Sequence, residues 1–262
     1  MRYGFVLPGG SAPEQLDLAV LADTSGWDAI FVWEGGYAID AWSLLSAMAM
    51  RTERIRLGTM LTPLPWRRPW KLAGQVATLD QLSSGRAILT VGLGAVDTGL
   101  GTYPEVTDKI ERAGLLDAGI DTVRGLLAGE MTIGELDLSR SVHTSPRPVQ
   151  DPVPIWCVGA KDRPRSMNRI LRCDGLLPTT IGDDGARQST PDEVADMLNW
   201  LDENGGRRPH FDVVVEGESE PGDASAVRPY EEAGATWWLE SRWMTSDPSE
   251  IQTRIAAGPP GR

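Results

Sequence analysis

Short apolar runs alternate with amphipathic segments along nearly the whole chain. Eight runs of aliphatic and β-branched residues, bounded by glycine, proline and other turn-forming residues, predict strands. The predicted strands cover residues 3–7, 29–33, 55–61, 87–91, 153–158, 175–178, 211–215 and 236–239. Between them, apolar residues recur at helical spacing after capping residues. The predicted helices cover residues 11–25, 40–50, 69–82, 108–127, 163–171, 191–203, 224–233 and 248–257.

One segment, residues 131–151, interrupts this alternation. It is rich in proline and polar residues, has no helical period, and predicts an irregular excursion that could contain a hairpin. Elsewhere the strands are continuously apolar, which is typical of a parallel sheet covered by helices on both faces. A barrel and an open doubly wound sheet share that pattern, but eight βα units in 262 residues favour the barrel. We predict an α/β protein with a single (β/α)₈ TIM barrel domain over residues 1–262.

The charge balance narrows the classes of partner. Lys plus Arg number 25 and Asp plus Glu number 37, which gives a formal net charge of −12. Net repulsion opposes the approach of nucleic acid or anionic lipid, so we expect neither as a partner. The two cysteines, Cys157 and Cys173, lie in apolar contexts and predict reduced core thiols in a cytoplasmic protein. We find no signal peptide, and no apolar run reaches the ~18 residues of a membrane span.

The residues that follow the strands should form the active face of a barrel. They are rich in glycine and tryptophan and contain no histidine, since His143 and His210 lie elsewhere. Metal-dependent hydrolysis and a Ser-His-Asp triad are therefore not predicted, and we predict no metal site. A hydrolase with paired carboxylates at Glu34 and Glu240 stays an alternative. Such a site also suits a cofactor that brings its own reactivity.

Two glycine-containing turns are candidates for binding that cofactor. Residues 159–163 follow a strand and open a helix, and Lys161 and Arg163 add positive charge, so this turn could bind a phosphate or be an ordinary βα turn. Residues 92–94 read Gly-Leu-Gly but lack the third glycine of a dinucleotide motif. Several tryptophans near predicted strand ends could stack on a flat ring or pack in the core: Trp33, Trp66, Trp70, Trp237 and Trp238.

A family resemblance becomes specific over residues 54–94. RIRLGT is followed by P-x-x-L/A-A-x-Q-x-A-T-L-D-x-L-S-x-G-R and then by a strand that ends in GxG. This run resembles the third strand, third helix and fourth strand of the luciferase-like monooxygenase family. Residues 26–34, 147–160 and 173–179 are also similar to that family, so the resemblance covers nearly the whole chain.

The resemblance implies a cofactor at the C-terminal face of the barrel. It would be reduced FMN or the 8-hydroxy-5-deazaflavin coenzyme F-420. The positions that match cofactor-contacting positions of the family are Gly92, Gly94, Arg112, Gly159, Ala160, Lys161 and Arg163. Many members place a histidine after the second strand, whereas Glu34 is followed here by two glycines. Glu34 is therefore the catalytic candidate for part of the acid–base role. The loops after strands six and seven are brief, which predicts an open site or one completed by a second subunit.

From these observations we expect a flavin-dependent monooxygenase that uses reduced FMN and O₂ on a small organic substrate. The close alternative is a deazaflavin-dependent oxidoreductase that transfers hydride. A further alternative is a non-catalytic flavin-binding or partner barrel. The resemblance also implies a homodimer and a flavin reductase that supplies the reduced cofactor.

Overall fold

Eight parallel strands close into a barrel. The computed structural model describes residues 1–96, 102–130, 132–137, 146–245 and 247–261. The barrel strands are β1 (Arg2–Leu7), β2 (Ala29–Val32), β3 (Arg56–Thr59), β4 (Ala87–Gly92), β5 (Ile155–Ala160), β6 (Gly175–Gly182), β7 (Asp212–Gly217) and β8 (Trp237–Ser241). Each strand pairs in parallel with the next, and β8 returns to pair with β1. The predicted (β/α)₈ barrel is thereby confirmed, with every predicted strand present.

A helix follows each barrel strand. The helices are α1 (Ala12–Thr24), α2 (Ala41–Ala49), α3 (Pro69–Leu82), α4 (Lys109–Ala128), α5 (Pro164–Ile170), α6 (Pro191–Glu203), α7 (Arg228–Glu232) and α8 (Pro248–Ala256). Ser11 and Thr190 begin α1 and α6 with capping boxes, in which the cap hydroxyl and a glutamate three residues later satisfy free backbone N–H groups. No helix within the described residues is both long and apolar enough to cross a lipid bilayer.

The segment after β6 departs from the prediction. The strand runs to Gly182 instead of ending at 178, and Gly185–Gln188 folds back on it in antiparallel register. The connection after the sixth strand is therefore a hairpin and not a brief loop. The β-branched run from Thr179 to Ile181, followed by a Gly-Asp-Asp-Gly turn, carried the signal. In the excursion, Thr132–Ile133 and Leu136–Asp137 pair as short strands, while His143 lies outside the described residues.

Two apolar cores lie on opposite sides of the strands. The smaller core fills the barrel interior, where Trp156 packs against Phe31 and Trp237 with ring centroids 5.6 and 5.3 Å apart. The larger core lies between the strands and the helices and includes Trp238, whose ring lies 5.9 Å from that of Tyr230. Trp237 and Trp238 begin β8, so they lie at the opposite end of the barrel from the expected site. They cannot stack on a ring there, because both are buried packing residues.

Candidate active site

The mouth of the barrel has an apolar floor, made of Leu61, Gly92, Val158 and Leu177. These residues lie at or near the C-terminal ends of β3 to β6, and the three side chains are half-buried. Gly92 is buried among these side chains, and a Cβ atom there would lie 3.0 Å from Leu61 Cδ2 and 3.3 Å from Val158 Cγ2, so the position leaves little room for a side chain.

Glu34, the predicted catalytic residue, lies beside this floor in a closed set of contacts. Its Oε1 atom lies 3.2 Å from Arg67 Nε, and Oε2 accepts hydrogen bonds from Thr62 Oγ1 at 2.7 Å and Trp42 Nε1 at 3.2 Å. Burial raises the pKa of Glu34, and Arg67, Thr62 and Trp42 oppose that shift. The carboxylate is therefore held by a cation and two neutral donors.

The loop after β4 is built around Gly94. This glycine has a φ of +76°, and a Cβ atom there would lie 2.4 Å from Trp66 Cζ3. Arg112 donates from Nη1 to the carbonyls of Leu93 and Gly94 at 3.1 and 3.0 Å, and its guanidinium lies 5.5 Å from the Trp66 ring centroid. Arg112, predicted to contact the cofactor, is thus buried and holds this loop in place. Its role toward a cofactor stays a prediction.

The predicted phosphate turn lies beside an open groove of about 500 Å³ between α5 and α6. Lys161 lies 3.3 Å from Asp196, which raises the pKa of the lysine. Arg163 is exposed and has no carboxylate partner among the residues that the structure describes. The turn therefore presents one paired cation and one unpaired cation to the groove.

Three backbone amides of this turn already donate to other groups of the protein. Ala160 N–H donates to Ser166 Oγ at 3.0 Å, Lys161 N–H to the Thr179 carbonyl at 2.9 Å, and Arg163 N–H to the Ala160 carbonyl at 3.2 Å. Gly159 serves packing, because a Cβ atom there would lie 2.3 Å from Leu176 Cδ1. The N–H groups of Ala160, Lys161 and Arg163 are therefore not free to bind an anion. An anion would be bound by the side chains of Lys161 and Arg163.

A smaller pocket of about 210 Å³ opens between the loops that follow β1 and β2. Its lining is apolar apart from Gln15, whose amide donates to the Gly10 carbonyl at 3.0 Å. Trp33 and Ile39 form its exposed side, with 40% and 42% of their surfaces accessible. None of the described residues that line this pocket is charged.

Glu240 does not belong to the mouth. It is fully buried on the helix-facing side of β8, 3.3 Å from Arg254 Nη2 and 3.1 Å from Arg242 Nε, and Ser219 also donates to it. The alternative of a hydrolase with Glu34 and Glu240 as paired carboxylates is wrong, because successive residues of a strand face opposite sides. In the described part of the chain, no group of three or more His, Cys, Asp or Glu side chains could hold a metal ion.

A model of a known protein family matches most of this barrel. The model describes luciferase-like monooxygenases, and it matches residues 2–218, which run from β1 to just beyond β7. The chain belongs to the luciferase-like monooxygenase family. The resemblance inferred from residues 54–94 is thereby confirmed.

Curated relatives of this luciferase-like protein are oxidoreductases. The F420-dependent glucose-6-phosphate dehydrogenase of Nakamurella multipartita is 34% identical over 197 residues, which are 69% of this chain and 56% of that protein. The 4-hydroxyprotoasukamycin monooxygenase of Streptomyces nodosus subsp. asukaensis is 32% identical over 133 residues, or 47% of this chain and 34% of that protein. The chain thus spans little more than half of the first relative and about a third of the second.

A solved structure shows the same fold. An F420-dependent secondary alcohol dehydrogenase, in complex with an F420-acetone adduct, superposes with a TM-score of 0.77. The two sequences are 15% identical, and the match covers 99% of this chain and 98% of the other. At that identity the likeness shows a shared luciferase-like barrel.

Proposed function

We propose that this luciferase-like protein is an oxidoreductase that uses a deazaflavin coenzyme to transfer hydride to or from a small organic substrate. The observation that carries the proposal is the match to an F420-dependent dehydrogenase over 69% of the chain. It favours the deazaflavin over the FMN-dependent monooxygenase that we expected first. The monooxygenase alternative is supported by a match to a monooxygenase over 47% of the chain.

The residues at the mouth fit a flat cofactor. The apolar floor offers the half-buried carbon surface of Leu61, Val158 and Leu177 to a ring. Lys161 and Arg163 would hold the phosphate through their side chains. A bound deazaflavin supplies a carbon centre that accepts or gives up a hydride and does not support oxygen adducts.

The protein's own residues then bind and orient the substrate. The pocket of about 210 Å³ beside Trp33 and Ile39 is mostly apolar, and no cation of the described part of the chain lines it, so it fits an uncharged substrate group of a few carbon atoms. A phosphorylated sugar, the substrate named for the Nakamurella relative, would need a cation there. We propose a small alcohol or carbonyl compound with an apolar body as the substrate.

Binding of the two cofactors distinguishes the two readings. Purified protein is titrated in parallel with oxidised deazaflavin, reduced deazaflavin and reduced FMN, and binding is followed by the protein's own fluorescence. We expect saturable binding of the deazaflavin at a Kd at least tenfold lower than that of FMN. Tighter binding of FMN, together with O₂ consumption, would support the monooxygenase.

Turnover separates an enzyme from a binding protein. The deazaflavin complex is mixed with a panel of short secondary alcohols, and loss of the oxidised coenzyme's visible absorbance is followed. Binding without turnover on any alcohol or carbonyl compound would favour the non-catalytic barrel. The homodimer, the flavin reductase and the cytoplasmic location stay predictions.

A further inference from the structure

A second carboxyl group, that of Glu216, points into the mouth of the barrel. Glu216 lies one residue before the end of β7. Val214, two residues earlier, packs in the barrel interior, so the alternation of the strand directs Glu216 to the same side. Its side chain is half-buried, in contrast to the fully buried Glu240 on the neighbouring strand.

Among the residues that the structure describes, only neutral groups contact the Glu216 carboxyl. Trp243 Nε1 donates to Oε1 at 2.6 Å, and the Ser241 hydroxyl is a second partner. Glu216 forms no ion pair among the described residues. Arg242 directly follows β8. It lies 3.1 Å from Glu240 and 3.7 Å from Glu220, so it pairs with those carboxylates and not with Glu216. The amide of Gln188, on the hairpin after β6, donates to the backbone carbonyl of Glu216 and fixes this strand end.

Glu34 is less able to exchange a proton. Its carboxylate is paired with Arg67, and protonation would break that pair and leave the guanidinium without its counter-charge. Protonation of Glu216 breaks no ion pair and keeps a partner in Trp243. Of the two half-buried glutamates at the mouth, Glu216 is the one whose surroundings tolerate both protonation states.

We propose that Glu216 is the catalytic acid–base residue of this site. It takes the acid–base role for which this chain has no histidine after β2. This inference rests on the proposed hydride-transfer activity. In the oxidation of an alcohol, the O–H bond breaks and its proton passes to the Glu216 carboxylate. The carbinol C–H bond breaks at the same time, its electron pair leaves as hydride to the bound oxidised deazaflavin, and the C=O double bond forms. Reduction of the carbonyl compound returns the proton from Glu216 to oxygen.

Burial supports this role. It raises the pKa of Glu216 above its usual value of 4.5, and the hydrogen bonds from Trp243 and Ser241 oppose the shift only in part. A carboxyl group whose pKa moves toward neutrality is a better match to proton transfer at physiological pH.

The Trp243 indole provides a test that needs neither coenzyme nor turnover. Its ¹H–¹⁵N resonance, assigned by Trp243→Phe, is followed with pH in the wild type, in Glu216→Gln and in the matched control Glu218→Gln. Glu218 is exposed and two residues away. We expect an inflection above the usual glutamate range in the wild type and in Glu218→Gln, and none in Glu216→Gln. Addition of oxidised deazaflavin should move the inflection to higher pH by further burial.

Catalysis provides the second readout. With a substrate that the panel identifies, Glu216→Gln should lower kcat by about 10²- to 10⁴-fold while the Kd for the deazaflavin stays within threefold. Glu218→Gln should keep the wild-type kcat. If the deazaflavin binds and turns over but Glu216→Gln keeps full kcat, or if binding leaves the Trp243 inflection unmoved, the assignment of Glu216 is overturned and the proposed function stands. If no deazaflavin binds at all, the proposed function fails, and the catalytic role of Glu216 fails with it.

Discussion

Arg67 forms an ion pair with Glu34, two residues after the end of β2: its Nε atom lies 3.2 Å from Oε1 of the glutamate. Replacing it by methionine in Arg67→Met should leave a half-buried carboxylate with only Thr62 and Trp42 as partners. We expect the free energy of unfolding to fall by about 1–3 kcal/mol at pH 7. The pKa of Glu34, already raised by burial, should rise further.

The sign of the pH dependence follows from that shift. A carboxyl group with a raised pKa in the folded state binds more protons there than in the unfolded chain, so stability falls as pH rises through the folded pKa. The destabilisation by Arg67→Met should therefore be smaller at pH 4 than at pH 7 in urea denaturation. Arg68→Met, which changes an exposed neighbour, is the control. Equal losses for both variants would show that the ion pair contributes nothing.

Gly94 and Gly74 should respond in opposite directions to alanine. At Gly94 the φ of +76° disfavours a side chain, and the new Cβ atom would lie 2.4 Å from Trp66, so Gly94→Ala should cost about 1–3 kcal/mol. Gly74 lies inside α3, where a Cβ atom meets nothing within 4 Å. Gly74→Ala should therefore stabilise the protein by about 0.5–1 kcal/mol. Denaturation midpoints of the two variants decide this, and a stabilised Gly94→Ala would contradict the fold of the loop.

The barrel was predictable because its strands are short, apolar and separated by strong turn signals. The direction of the side chains at the strand ends was not. Glu216 and Glu240 both end apolar runs, yet one faces the mouth and the other faces the helices. Trp237 and Trp238 are both apolar, so alternation along β8 could not be read from the sequence.

The phosphate turn shows a second limit of the sequence. The sequence showed its glycine and its cations. It did not show that the backbone N–H groups of Ala160, Lys161 and Arg163 donate to other groups of the protein and so are not free for a phosphate. Those partners, Ser166 and Thr179, come from the next helix and the next strand. Only the folded register brings them to the turn.

Glu240 should behave as a buried structural carboxylate. Its partner Arg254 has a side chain that is only 4% exposed. Because both side chains are buried, water cannot easily replace a lost partner. We expect Arg254→Met to cost about 3–5 kcal/mol in the free energy of unfolding. The double variant Arg254→Met, Glu240→Gln should recover part of that loss, because it removes a buried carboxylate that would otherwise keep Arg242 as its remaining cation. A loss in the double variant equal to the sum of the single losses would contradict this coupling.

Glu216 should reduce stability at neutral pH. Burial raises the pKa of Glu216, so the folded state favours the protonated carboxyl group. The stability that this group contributes is therefore present below its usual pKa of 4.5 and is lost as pH rises through the folded pKa. Glu216→Gln should therefore raise Tm relative to the wild type at pH 8 and leave it nearly equal at pH 4. Scanning calorimetry at both pH values measures the difference. A Tm gain that is the same at both would show that ionisation of Glu216 is not the cause.

Arg163 and Arg165 provide a matched pair for the coenzyme's phosphate. Arg163 lines the groove between α5 and α6 and has no carboxylate partner among the described residues, whereas the guanidinium of Arg165 lies 3.1 Å from Asp117. A free guanidinium can form charge-assisted hydrogen bonds with a phosphate, and one already bound to a carboxylate must first give them up. Arg163→Gln should therefore weaken deazaflavin binding about tenfold, or about 1.4 kcal/mol, and reduce its dependence on salt.

Arg165→Gln removes the same net charge two residues away and should leave the Kd within twofold. Equal effects of the two substitutions in titrations at low and high salt would mean that only the overall charge matters, and the phosphate would then have to be bound elsewhere.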